Sequence, residues 1–256
     1  MSSRVQKPLS SLKNRRPGWH EISNDPNAPA VLAARRDALS SAQAGIVEDR
    51  ITYLCDLARG KRILDVGVVD HCLDASLSER WLHGRLCEVA KKCLGVDVLT
   101  DELEQLRLRG YDVRDADLTR GPLDETFDII VMGELIEHIE QPGRLLRNAA
   151  MMLDEGGLVV LTTPNPWYVN VIIKNLLDTA PFTESADHVS WYDASTLYEM
   201  GQRCGLQLYR YTGVRDAAAR TLPGRVLFRI APFLITLRLN QLLFAKTIIY
   251  EFRRHL

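Results

Sequence analysis

The chain has 256 residues, 46% of them hydrophobic and 25% charged, a balance that fits one globular domain of ordinary size and excludes disorder throughout. Lys and Arg number 32 against 33 Asp and Glu, a net charge of −1, so no global field draws the chain to nucleic acid or anionic lipid. The five cysteines (Cys55, Cys72, Cys87, Cys93, Cys204) are odd in number and lack a CxxC pair. They argue against a disulfide framework or a structural zinc site and suit a reducing cytoplasm.

Residues 1–43 read as an N-terminal arm and lead-in, beginning with the basic, Ser/Pro-rich MSSRVQKPLSSLKNRRPGW, which lacks the apolar core of a secretory signal. The remainder, 44–256, reads as one domain. A helix over 44–58 precedes a strand at 62–67 (RILDVG), and a second strand, 93–98 (CLGVDV), leads into a helix at 101–109. A short strand around 111–114, a strand at 128–132 (DIIVM), a helix over 142–153 and a strand at 158–163 (LVVLTT) follow. A helix over 194–204 stops at Gly205, before a strand at 206–211 (LQLYRY). Strands alternating with helices predict an α/β fold with helices on both faces of a mostly parallel sheet.

The stretch 217–243 departs from that rhythm, setting Arg220, Arg225, Arg229 and Arg238 among Leu, Ile and Phe. It reads as a basic amphipathic helical insertion, 213–244, before a last strand at 246–252 (KTIIYEF). Such a segment fits an interfacial membrane contact, a dimer interface or a face folded onto the core. The most apolar window, 226–250, is broken by Arg229, Pro232, Arg238 and Lys246, so nothing is expected to span a membrane. The expected location is the cytoplasm, with peripheral contact at the inner membrane face as its variant.

Three acids fall just past or at strand ends. Asp65 and Gly67 close the first strand, Asp97 the second, and Asp117 follows the third; a glycine there lets backbone approach a ligand, and an acid accepts hydrogen bonds from ribose hydroxyls. Next come Phe127-Asp128-Ile129-Ile130-Val131-Met132-Gly133 and Glu134-Leu135-Ile136-Glu137-His138. Glu134 lies at i+3 and i+4 spacing from Glu137 and His138 and shares a helix face with both. His188 stands in a later segment, Asp187-His188-Val189-Ser190-Trp191-Tyr192.

These residues, with Asp154-Glu155-Gly156-Gly157 before a strand and Thr163-Pro164-Asn165 after it, resemble the class I S-adenosylmethionine-dependent methyltransferases over roughly residues 45 to 212. The resemblance implies a Rossmann-like sheet of seven strands with the last antiparallel, and S-adenosylmethionine held by Asp65, Gly67, Asp97, Val98, Asp117, Leu118 and Gly133. The pattern also resembles that of the type 11, ubiquinone-pathway-like O-methyltransferases. One departure stands out, because the family's Asp-x-Gly-x-Gly-x-Gly loop is here Asp65-Val66-Gly67-Val68-Val69-Asp70-His71. The altered loop, with Trp81-Leu82-His83, is similar to a bacterial subgroup associated with surface-polysaccharide gene clusters.

Glu134-x-x-Glu137-His138 plus the distant His188 resembles the quartet that holds a divalent ion in small-RNA 3′-terminal 2′-O-methyltransferases. That implies a metal site at Glu134, Glu137, His138 and His188 for Mg²⁺, Mn²⁺ or Zn²⁺; the alternative is His138 or His188 as a simple general base. The expected activity is O-methylation of a small-molecule acceptor, a sugar or a lipid-linked saccharide. Two competing readings are methylation of a nucleic-acid 2′-hydroxyl, disfavoured by the charge balance, and a non-catalytic binding subunit, prompted by the missing glycines. His71, His83, Trp167 and Tyr168 read as loop or packing residues.

Overall fold

A computed structural model describes residues 16–69, 78, 80–178, 180–182, 184–215 and 240–255. Two expectations fall largely or wholly outside them: the arm at 1–15, and the basic helix within 217–243, of which only 240–243 are described. Residues 70–77 of the altered glycine loop lie outside them too.

The strands are β1 (Gln43–Val47), β2 (Arg62–Val66), β3 (Lys92–Asp97), β4 (Val113–Asp115), β5 (Phe127–Gly133), β6 (Leu153–Pro164), β7 (Leu206–Val214) and β8 (Thr247–Arg254). They form one sheet in the order β1-β7-β8-β6-β5-β2-β3-β4. All neighbours run parallel except β8, which is antiparallel to β6 and β7. The helices are α1 (Trp19–Ile22), α2 (Pro29–Ala42), α3 (Arg50–Ala58), α4 (Leu82–Val89), α5 (Thr100–Leu108), α6 (Pro142–Met151), α7 (Val169–Leu177) and α8 (Ala194–Arg203). No helix among the described residues is long and apolar enough to cross a membrane.

The central strands are apolar on both faces because side chains alternate across a sheet and both faces are covered. Leu64, Val66, Ile130, Met132, Val159 and Leu161 join one buried cluster with residues of α2, α6 and α8. Their sequence neighbours Ile63, Ile129, Val131 and Val160 join the other, with residues of α3 and α4. Helix boundaries follow local chemistry. Asp49 caps α3 by accepting from the Thr52 amide at 2.8 Å, Asp193 and Thr196 form a capping box on α8, and Pro142 opens α6 where a missing N–H costs nothing.

The sheet has eight strands where seven are expected, and the added one, β1, occupies residues expected to begin a helix. Gly45, Ile46 and Val47 favour extended backbone, and the free edge of β7 offers Gly213 and Val214 as partners for Ile46 and Val47. The Asp49 cap then confines the helix to α3. In the N-terminal lead-in, α2 buries Val31, Ala38 and Ala42.

Along α6, Leu145, Leu146, Ala149 and Ala150 are buried at helical spacing. Leu146 is fully buried, and Leu146→Ala is expected to lower stability by about 2–5 kcal/mol through lost transfer energy and a residual cavity, read as a shifted urea midpoint with unchanged slope.

Candidate functional site

The acids singled out in the sequence gather at the carboxyl ends of β4, β3, β2 and β5. From β2 the chain crosses to β3 on one side, and β5 lies on the other. That divergence opens a crevice at the strand tips, the place where open α/β sheets bind ligands.

Each acid meets a different environment there. Asp65 is buried, and its Oδ2 lies 3.0 Å from Nδ1 of His83 on α4. Burial pushes its carboxyl up, against the pull of His83. Asp97 is also buried and accepts three backbone N–H groups, Oδ2 from Val69 at 2.9 Å and Oδ1 from Val98 at 2.7 Å and Leu99 at 3.2 Å. Asp117 accepts from the amide and hydroxyl of Thr119 at 2.9 and 2.6 Å and pairs with Arg120 at 3.0 Å. The Thr119 hydroxyl, above all, holds its carboxyl below the usual range.

Gly67 has φ +78° and sits so close to Leu135 that a Cβ would lie 2.9 Å from it, so both the turn and the packing require glycine. The backbone directly beyond it, where the first missing glycine would stand, is held by side-chain tethers. The Trp81 ring N–H donates to the Val68 carbonyl at 2.9 Å, and Asp97 holds the Val69 amide. Beside Asp97, Val98 and Leu99 stay exposed, although water disfavours apolar side chains there. A buried acid with acceptor capacity left on Oδ2, flanked by an open apolar surface and a rim carboxylate, fits a nucleoside. The residues therefore fit S-adenosylmethionine. Leu118 is buried behind Asp117, and Gly133 ends β5 against Leu82.

Glu134, directly after β5, takes φ +54°, a left-handed conformation that is strained for a non-glycine residue. It is held from three directions: its N–H bonds the carbonyl and hydroxyl oxygens of buried Thr162, both at 3.1 Å, Arg50 donates to that hydroxyl at 3.0 Å, and Arg50 pairs with the Glu134 carboxylate at 3.3 Å. The strained turn sends the short 3₁₀ helix Ile136–His138 back over the strand ends.

Of the sequence quartet, Glu137, His138 and His188 come together, with ligand atoms all within 4.8 Å of one another. Glu134 faces Arg50. Both Glu137 carboxylate oxygens and Nδ1 of His188 are buried with no hydrogen-bond partner among the described residues, which is costly unless a cation or proton satisfies them. The His138 and His188 rings meet edge to face at 4.7 Å, and the Glu137 carbonyl accepts the Val189 amide at 2.9 Å, fixing the two segments together. The orphaned donor set of one carboxylate and two imidazoles fits a divalent ion. Asp187 holds Nδ1 of His138 at 3.0 Å; that orienting contact, like Arg50 and Thr162, carried no sequence signal beyond adjacency to His188. Trp167, expected to pack locally, is exposed and bonds Asp193. An apolar cavity of about 880 Å³ lined by Trp19, Val31, Arg35 and Tyr198 lies at the opposite ends of the strands, beside Gly205.

Residues 39–211 match the family model described as a methyltransferase domain. A ubiquinone biosynthesis O-methyltransferase from Aeromonas salmonicida is 30% identical over 163 residues, 62% of this chain and 68% of that protein. One from Coxiella burnetii is 26% identical over 183 residues, 66% and 70% of the two. Among solved structures, magnesium protoporphyrin IX methyltransferase from Synechocystis with bound SAH shares the fold, at a TM-score of 0.52 and 13% identity over 92% of each chain.

Burial, then the neighbouring Glu134 charge, pushes the Glu137 carboxyl up to about 8 from its ordinary 4.5. Between those values the folded chain holds more protons than the unfolded one, so stability falls as pH rises through that window. In metal-free protein, Glu137→Gln is expected to flatten this slope, checked by urea midpoints at about pH 5 and about pH 9. Asp97→Ala removes the charge that gathers three amides and is expected to weaken S-adenosylmethionine binding about 10- to 100-fold, read by calorimetry on the folded variant.

Proposed function

We propose that this chain, which belongs to the S-adenosylmethionine-dependent methyltransferase-domain family, methylates a hydroxyl oxygen on a saccharide or lipid-linked saccharide. The observation that carries oxygen chemistry is the cluster of buried Glu137 with half-buried His138 and His188 beside the crevice. An aliphatic hydroxyl is a poor nucleophile at neutral pH, so its methylation needs a group that removes or polarises the proton. The relatives named O-methyltransferases support oxygen as the acceptor atom. The saccharide class rests on the Trp81-Leu82-His83 resemblance, and the arginines of 217–243 support an acceptor at an anionic lipid surface.

S-adenosylmethionine, when bound, supplies a methyl group activated by its sulfonium. Asp97, already fixed by three amides, presents its remaining acceptor capacity to the ribose, while Val98 and Leu99 cover an adenine face and Asp117 stands at the rim. These contacts hold the two reactants aligned, which supplies much of the rate in a displacement of this kind. Glu137, His138 and His188 would hold a divalent ion, Mg²⁺, Mn²⁺ or Zn²⁺, that lowers the acceptor hydroxyl's pKa. A second reading keeps the same residues without an ion: Asp187 orients His138 through Nδ1, the arrangement of a general base and its orienting carboxylate. A peripheral membrane contact or a homodimer through 217–243 is the partner reading, and a nucleic-acid acceptor is disfavoured by the net charge of −1.

Incubation with S-adenosylmethionine and a panel of sugars, glycolipids and RNA, followed by mass spectrometry, is expected to show a methyl increment on a saccharide hydroxyl. A chelator is expected to abolish turnover while leaving cofactor binding intact, and His188→Ala to lower kcat/KM about 100-fold or more. Full turnover in chelator, with no metal by elemental analysis, leaves the histidine base standing and removes the ion.

A further inference from the structure

A second cluster of ligating side chains lies outside this site. His83 and Cys87 stand four residues apart on α4 and so share a helix face, while Cys93 rises from the start of β3 beneath them. The Cys87 Sγ lies 3.5 Å from Nε2 of His83, the Cys93 Sγ lies 3.9 Å from the same ring, and one ligand atom from each residue falls within 4.8 Å of the others. We infer that His83, Cys87 and Cys93 form a binding site for a thiophilic divalent ion, zinc by the chemistry of its donors.

The spacing suits tetrahedral coordination. With Zn–S near 2.3 Å and Zn–N near 2.0–2.1 Å, the sulfur and nitrogen of two ligands on one ion lie about 3.5 Å apart, the separation observed between Cys87 and His83. The imidazole is oriented by its Nδ1 contact with the buried Asp65 carboxylate at 3.0 Å, which leaves Nε2 facing Cys87, while the Cys93 Sγ lies nearest Nδ1 at 3.9 Å. Two sulfurs and one imidazole select zinc over Mg²⁺ or Mn²⁺, which favour oxygen. Three protein ligands leave a fourth position for water, and Cys87 supplies an entry path, because it lines a surface depression with Arg80, Trp81, Arg85 and Tyr111.

The protonation of the cluster agrees with this assignment. The Cys93 thiol, then His83, draws Cys87 down to about 5, while the same contact with Cys87 and burial push Cys93 up. Burial opposes charge on His83, but the bonds to Asp65 and Cys87 outweigh it and push the ring up to about 9. Zinc takes cysteine as thiolate and histidine through an unprotonated nitrogen, so an entering dication displaces the protons that the cluster carries on those atoms. The ion would bolt α4 to β3 and, through Asp65, to β2, bracing one wall of the crevice. Sequence spacing alone, His-x3-Cys-x5-Cys, gives no recognised zinc pattern, which is why the cysteines read there as evidence against one.

The test is titration of the reduced, chelator-stripped full chain with Co²⁺, then Zn²⁺. The expected result is one equivalent of Co²⁺ giving a near-ultraviolet thiolate charge-transfer band that Zn²⁺ abolishes, with Zn²⁺ raising the thermal midpoint by about 4 °C or more. Cys87→Ser and Cys93→Ser should each lose the band, whereas Glu137→Gln and His188→Ala should keep it, which separates this site from the one at the acceptor side. The inference is overturned if the folded wild type gives no such band, or if the band survives either cysteine substitution. It is equally overturned if Cys87 and Cys93 are recovered as a disulfide from protein purified under reductant.

Discussion

A carboxylate buried at the end of a parallel strand must find a counter-charge, a set of N–H donors or a proton, because leaving it bare costs several kcal/mol. Three acids at the crevice meet that constraint in three ways, and much of the surrounding structure follows. Asp65 takes His83 and so fixes α4 over β2. Asp97 takes three backbone amides and thereby shapes both the turn after β2 and the turn after β3. The Glu137 carboxylate oxygens find no hydrogen-bond partner among the described residues, and the carboxyl is pushed toward the protonated form. The first two acids build one wall of the crevice, while the third lies beside His138 and His188.

The strained turn at Glu134 links the strand ends to that third acid. A left-handed non-glycine residue persists only where its surroundings over-determine it, and here Arg50 and Thr162 supply the restraint from α3 and β6. The restraint crosses three elements, so the position of Glu137 and His138 depends on how α3 seats against the sheet. That seating in turn depends on Asp49 ending β1 and starting α3. The added edge strand and the acceptor side of the crevice are thus joined through a few residues.

The described start of the altered glycine loop, Gly67 to Val69, is fixed by one glycine and by side chains from elsewhere in the fold. Gly67 remains where positive φ and the approach of Leu135 allow no side chain. Beyond it, Val68 and Val69 are held through their backbone by Trp81 and Asp97, and Val68 packs with Trp81, Leu103, Leu106 and Val113 in a small buried cluster. Side-chain packing fixes what conformational freedom fixes in glycine-rich relatives. Trp81 and His83, which look like incidental aromatic residues in the sequence, are the means.

The sequence by itself determined what short-range pattern controls: apolar runs bounded by turns for the central strands, amphipathic spacing for α5, α6 and α8, and acids at the strand ends in the order Asp65, Asp97, Asp117. It also held the Glu-x-x-Glu-His series, of which Glu137 and His138 reach the cluster while Glu134, placed by the sequence on a shared helix face, stands outside the short helix. It misread residues 44–47 as the start of a helix, since a short edge strand containing a glycine has weak local preference and is decided by the open edge of β7. It gave no notice that Glu134 would turn to Arg50, that Asp187 would orient His138, or that Cys87 and Cys93 would meet at His83. Those contacts join segments brought together only when the sheet closes, and burial then selects partners by distance in space, which no spacing along the chain encodes.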